Sequence, residues 1–104
     1  MLLYKKGKKS GRQYKIDFRI IDLLTQDKNG DFVVIELKVG KATYAVIGQI
    51  LSYIGWVRKN LAKNKKVRGI TIADDFHAKV KFAAQEIFNV LLKQYEVSFS
   101  LKDI

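Results

Sequence analysis

Residues 19–38 read RIIDLLTQDKNGDFVVIELK, two apolar runs on either side of the cluster Asp27-Lys28-Asn29-Gly30-Asp31. A turn cluster between two such runs predicts a β-hairpin. With a two-residue Asn29-Gly30 turn, Asp22 pairs with Leu37 and points away from Glu36, because a slip of one residue exchanges the two faces. With a three-residue loop, Lys28-Asn29-Gly30, closed by a left-handed Gly30, Asp27 faces Asp31 and Asp22 lies opposite Glu36. We take the second register. Side chains alternate along a strand, so Glu36 and Lys38 project together with Phe32 and Val34, while Val33, Ile35, Leu37 and Val39 face the other way.

Outward from the hairpin, Gln13 to Gln26 reads as extended, and Phe32 to Val39 has the β-branched run of a central strand covered on both faces. Gly40-Lys41-Ala42-Thr43 opens a helix to about Ala62, in which Val46, Ile47, Ile50, Leu51, Ile54, Val57 and Leu61 keep the helical period. Val67 to Ala73 reads as a short strand. Asp74 or Asp75 is then a natural N-cap for a second helix reaching about Lys93, and Tyr95 to Leu101 alternates as a last edge strand. The order β-β-β-α-β-α-β over residues 1–104 predicts a single α/β (α+β) domain, a mixed sheet flanked by two helices, with residues 1–12 as a basic, flexible arm.

Composition narrows the chemistry. The 104 residues contain 20 Lys+Arg against 10 Asp+Glu, one His, no Cys and no Pro, for a formal charge of +10. Disulfide scaffolds and Cys-ligated zinc are thereby excluded, and a single His removes most metalloenzyme and Ser-His-Asp constellations. No apolar run is long enough to span a membrane and no signal peptide is evident, so the default expectation is a cytoplasmic protein. The charge falls in two acid-free blocks: Lys5, Lys6, Lys8, Lys9, Arg12 and Lys15, then Arg58, Lys59, Lys63, Lys65, Lys66 and Arg68. Such blocks suit phosphate contacts, each adding salt-dependent affinity, and nucleic acid is the first partner to consider. Lys41, next to the carboxylate-bearing strand, joins that set.

Two carboxylates facing each other need a shared proton or a cation, and hard oxygen ligands suit Mg²⁺ or Mn²⁺. An ion there could polarise a phosphoryl oxygen and activate water, with Lys38 orienting the water or stabilising developing charge. That is the apparatus of phosphodiester hydrolysis, and it requires neither His nor Cys. The following helix adds Gln49 and Tyr53, one turn apart on a common face.

Arg19-Ile20-Ile21-Asp22-Leu23-Leu24, Asp27-Lys28-Asn29-Gly30, Val33-Val34-Ile35-Glu36-Leu37-Lys38, Gly48-Gln49-Ile50-Leu51-Ser52-Tyr53 and Val67-Arg68-Gly69-Ile70 together resemble the PD-(D/E)XK nuclease superfamily. More narrowly, they resemble the C-terminal nuclease domain of NucS-type endonucleases. The resemblance implies a restriction-endonuclease-like core and a metal-dependent endodeoxyribonuclease acting in repair, restriction or mobile-element DNA processing. It implies Asp22 and Glu36 as Mg²⁺ (or Mn²⁺) ligands, Lys38 as the residue assisting the attacking water, and Gln49 as support for the metal site or the scissile strand. Tyr53 is the structural member. One departure stands out: such nucleases commonly carry an acid on a helix before the first core strand, and residues 1–15 contain none. Either the domain works without it, or a partner chain or a further domain supplies it, and an exposed final strand would allow a homodimer. The alternative reading keeps the fold as a non-catalytic nucleic-acid-binding or assembly module.

Overall fold

The computed structural model describes residues 1–104. The hairpin at its centre is formed by β5 (Ile20–Gln26) and β6 (Phe32–Ala42), antiparallel with Gln26 opposite Phe32 and Leu23 opposite Ile35. The Lys28-Asn29-Gly30 loop closes as expected. The Gly30 amide donates to the Asp27 carbonyl at 2.9 Å and Gly30 takes φ +82°, while Asp27 Oδ1 accepts from the amides of Asn29 and Asp31. The local turn chemistry therefore sets the register that aligns Asp22 with Glu36.

Around this hairpin grows a six-stranded mixed sheet. β1 (Leu2–Leu3) and β4 (Arg12–Lys15) pair antiparallel along the outer edge of β5. On the other side, β7 (Val67–Phe76) lies parallel to β6, and β8 (Val90–Gln94) parallel to β7. The basic segment expected as a flexible arm is instead paired: β2 (Lys5–Lys6) and β3 (Lys9–Ser10) form a two-stranded ribbon between β1 and β4. Tyr4 and Gly11 hold its base against Leu24 through three backbone hydrogen bonds of 2.6–2.8 Å.

The crossover from β6 to β7 is α1 (Ala45–Val57), extended by a π-turn over Arg58–Ala62, so the helix ends where the apolar period predicts. Ile50, Tyr53, Ile54 and Val57 pack on Phe32, Val34, Leu24, Ile21 and Tyr14, forming the main core. Each such aliphatic or aromatic side chain contributes about 1.5–3 kcal/mol on burial. α2 (Ala78–Gln85) sets Val80 into a smaller cluster with Ala42, Val46, Ala73 and Phe76. Neither helix is long and apolar enough to cross a membrane.

Gly69 marks how closely α1 approaches the sheet. A Cβ there would sit 2.6 Å from Ile50 Cγ1 and 3.0 Å from Ile54 Cδ1. Gly69→Ala is expected to destabilise the protein by about 1–3 kcal/mol through this overpacking, measured by urea unfolding with an unchanged m-value.

Four further sequence expectations are corrected. β6 does not stop at Val39; a bulge between Lys38 and Lys41, with Gly40 at φ +83°, lets Lys41 and Ala42 pair with Asp75 and Phe76. Asp74 and Asp75 consequently lie within β7 rather than capping α2, and exposed His77 takes the N-cap position. The second helix ends at Gln85, not near Lys93, and the last strand is Val90–Gln94 rather than Tyr95–Leu101. The exposed edge of β7 captures Val90-Leu91-Leu92, starting with the Gly69 amide donating to the Asn89 carbonyl, because a strand edge needs backbone partners.

Candidate active site

Asp22 and Glu36 are bound into each other's backbone. The Asp22 amide donates to Glu36 Oε1 at 3.1 Å, while Asp22 Oδ2 accepts from the Leu37 amide at 2.8 Å. Each carboxylate is thus oriented by the other's strand, a reciprocal clamp that only the three-residue loop register permits. From α1, Gln49 Nε2 donates to Glu36 Oε2 at 3.1 Å and to the Tyr53 hydroxyl at 2.9 Å. Tyr53 is 1% exposed, so its buried ring fixes the hydroxyl and, through it, the amide that reaches Glu36.

Glu36 is only 4% exposed. Burial, chiefly, pushes its carboxyl above the usual glutamate range, and the Asp22 charge adds to that rise; the Asp22 amide and the charges of Lys38 and Arg19 pull the other way. Burial of the ionised form is therefore the main cost at the site, and the Asp22 charge adds to it. No third His, Cys, Asp or Glu completes a cluster around the pair.

A hydrated divalent ion suits such a donor set. Mg²⁺ is characteristically held by one or two carboxylates while keeping several waters. Asp22 Oδ1 accepts no hydrogen bond from the chain, and the acid lines a cavity of about 310 Å³ with Arg12, Gln13, Leu23 and Leu37. On β7, at the register position of Glu36, the Thr71 hydroxyl is buried with no hydrogen-bond partner. A leftover buried polar atom on the strand next to Glu36 is the situation that ordered water commonly resolves. The residues present fit the ion.

The other sequence candidates divide into three places. Lys38, half-buried, follows Glu36 on the same strand, and Lys41 lies beyond the bulge, 3.8 Å from Asp75 Oδ2. Lys5, Lys6, Lys8 and Lys9 occupy the β2–β3 ribbon, with Arg12 on β4 beside Asp22. Arg58, Lys59, Lys63, Lys65, Lys66 and Arg68 gather at the opposite end of β7, where Arg68 pairs with Asp27 at 3.1 Å. The structure does not join these basic groups into one patch.

Sequence reasoning missed the loop between β4 and β5. Phe18 and Arg19 line a cavity of about 280 Å³ with Ala45, Gly48, Gln49, Ser52 and Tyr53, and the Phe18 ring stacks on Tyr53 at 6.2 Å between centroids. The break Asp17-Phe18-Arg19 in an otherwise extended run was the available signal. Asp17 is itself anchored, accepting from Trp56 Nε1 at 3.2 Å.

Comparison with known proteins finds nucleases among those this chain is similar to. A family model described as the endonuclease NucS C-terminal domain matches residues 2–99. Endonuclease NucS of Methanocaldococcus jannaschii is 36% identical over 62 residues, covering 60% of this chain and 23% of that protein. Endonuclease NucS of Sulfolobus acidocaldarius is 36% identical over the same length, with 24% of that protein covered. Among solved structures, a repair endonuclease from Pyrococcus abyssi superposes with a TM-score of 0.69 at 28% identity, over 82% of this chain and 36% of that one. An EndoMS–double-stranded DNA complex superposes with a TM-score of 0.70 at 27% identity, over 86% of this chain and 36% of that one. The chain thus spans about a quarter of the length of these NucS relatives.

Proposed function

The chain belongs to the endonuclease NucS C-terminal domain family, and from that membership we propose that it hydrolyses DNA phosphodiester bonds with Mg²⁺ or Mn²⁺ held between Asp22 and Glu36. The observation that carries this reading is the reciprocal clamp of two carboxylates, with Gln49 on the second, in a chain with a +10 formal charge. The ion, when bound, would polarise the scissile phosphate and lower the pKa of its water. Asp22 and Glu36 supply the hard anionic oxygens. Gln49 holds Glu36 in one orientation, so its carboxylate need not reorganise when substrate arrives. Lys38, on the strand that carries Glu36, offers an ammonium to position the attacking water or to meet charge developing on the phosphoryl oxygens. Burial of Glu36 keeps the surroundings poor in water, which strengthens each of these interactions.

DNA is the preferred substrate because relatives bear the name endonuclease and one neighbour is solved with double-stranded DNA. The test is cleavage of a panel of labelled single-stranded, branched, mismatched and duplex DNAs in Mg²⁺, Mn²⁺ and chelator, beside Glu36→Ala and Lys38→Ala. Cutting that needs the ion and falls at least a hundredfold in both variants is expected. Binding that persists in chelator, with no substrate cut, would replace this reading by a non-catalytic nucleic-acid-binding module.

A further inference from the structure

We propose that a cleft at the far end of the sheet is a second nucleic-acid site, one that anchors a single strand by stacking a base on Phe88 and holding its phosphates on Arg58, Lys65 and Lys66. The cleft measures about 490 Å³ and lies between the π-turn after α1, the loop before β7 and the loop before β8. Its floor is buried Val67, whose carbonyl accepts from Arg58 at 3.5 Å and from the Asn89 side-chain amide at 3.4 Å. Both walls are therefore tied to one backbone atom, which makes the cleft a formed feature of the fold.

Its electrostatics point to an anion. Arg68 is neutralised by Asp27, but Arg58, Lys65 and Lys66 have no carboxylate partner. Lys65 Nζ donates to the Asn29 carbonyl at 2.9 Å and the Lys66 amide to Asp31 Oδ1 at 3.0 Å, so this loop is pinned to the hairpin turn with its charge uncompensated. Phe88, 97% exposed, lines the same cleft as these three cations, none of which has a carboxylate partner. An aromatic face next to unpaired basic side chains is the pairing that binds a single strand, base on ring and phosphate on cation. An acidic peptide would use the cations and leave the ring idle.

The site is separate from the carboxylates. Val67 pairs with Phe32, whereas the register partner of Glu36 is Thr71, four residues further along β7. At about 3.3 Å per strand residue the two places are roughly 13 Å apart, the length of about four stacked nucleotides. The inference rests on the nucleic-acid reading above but not on catalysis.

The test is fluorescence anisotropy in chelator, using the whole chain and a labelled deoxyoligonucleotide of about eight nucleotides, beside an abasic oligonucleotide of equal length. Phe88→Ala is expected to weaken binding of the base-containing strand roughly tenfold or more and to leave the abasic strand unaffected, while Phe88→Trp retains binding. Lys65→Gln with Lys66→Gln is expected to weaken both and to lower the slope of log affinity against log salt by about 1.4. Phe88→Ala binding both strands as the wild type does, or losing both equally, would overturn the proposal. If the base-dependent loss is found but metal-dependent cleavage is absent, the anchor stands and the hydrolytic reading falls; cleavage with an inert Phe88 means the reverse.

Discussion

Glu36→Gln is expected to raise the thermal midpoint of the metal-free protein by roughly 5 °C while reducing metal-dependent DNA cleavage by a factor of about a thousand or more. The two effects share one cause. Glu36 is buried against a second carboxylate, so its ionised form is disfavoured in the folded state. Its carboxyl titrates higher folded than unfolded; the stability linked to that group is fully present below the ordinary glutamate range and is lost as pH rises through the folded value. Above that folded value the wild type has suffered the loss and the amide has not, a difference on the order of 1 kcal/mol, or about 4–8 °C in a domain of this size. The amide fits with one local adjustment. Its oxygen can accept from the Asp22 amide, and its nitrogen can donate to Gln49 if the Gln49 amide turns over, the Tyr53 hydroxyl then donating to Gln49. Differential scanning fluorimetry from acid to neutral pH checks the sign: the gap between variant and wild type should open as pH rises and be absent at the acid end. Adding Mg²⁺ should then stabilise the wild type and leave Glu36→Gln unmoved. The loss of activity follows from removing an anionic ligand worth several kcal/mol at the transition state.

Gly11→Ala is expected to lower stability by at least about 3 kcal/mol, seen as a fall of roughly 15 °C in the thermal midpoint. A Cβ at this position would drive into the Leu24 carbonyl oxygen and lie 2.8 Å from the Tyr4 amide. Both are backbone atoms and cannot swing aside. The Gly11 amide donates to Tyr4, the Leu24 amide to Gly11 and the Tyr4 amide to Leu24, so one methyl group disrupts three hydrogen bonds that seat the lysine ribbon on β5. Limited trypsin digestion should cut the variant first among Lys5, Lys6, Lys8 and Lys9. Gly7→Ala at the ribbon's tip is the control. Nothing lies within 4 Å of a Cβ there, and only the left-handed φ of +59° opposes it, at about 1–2 kcal/mol.

What could be read from the chain alone was whatever local chemistry determines. Lys28-Asn29-Gly30 dictates a loop type, the loop dictates the register, and the register places Asp22 opposite Glu36. Gln49 and Tyr53 share a helix face by spacing, and the contact of Gln49 with Glu36 follows once α1 packs on β6. Val90-Leu91-Leu92 was misassigned because a short apolar run fits a buried helix and a strand equally; the unsatisfied edge of β7, a tertiary fact, decides it. The ribbon at Lys5–Ser10 was illegible for a similar reason. Its own sequence is too charged to suggest a strand, and its order comes from Tyr4, which packs edge-on to Tyr14 at 5.7 Å. Phe88 went unnoticed because a helix through Lys93 would have carried it as one more apolar position.

The two strand pairings that build the site assemble on different schedules. The β5–β6 hairpin closes over three residues, whereas Phe32 meets Val67 only after the whole α1 crossover has been gathered in, and closure entropy grows with the chain enclosed. Parallel, non-local pairing is correspondingly late. Asp22 and Glu36 therefore come face to face early, while water still screens them, and their mutual repulsion is felt in full only when α1 docks and Gln49 closes over Glu36. The electrostatic burden of the site then falls on the last stage of folding, so an ion held as proposed by Asp22 and Glu36 is expected to speed the docking of α1 and to leave the nucleation of the hairpin unchanged.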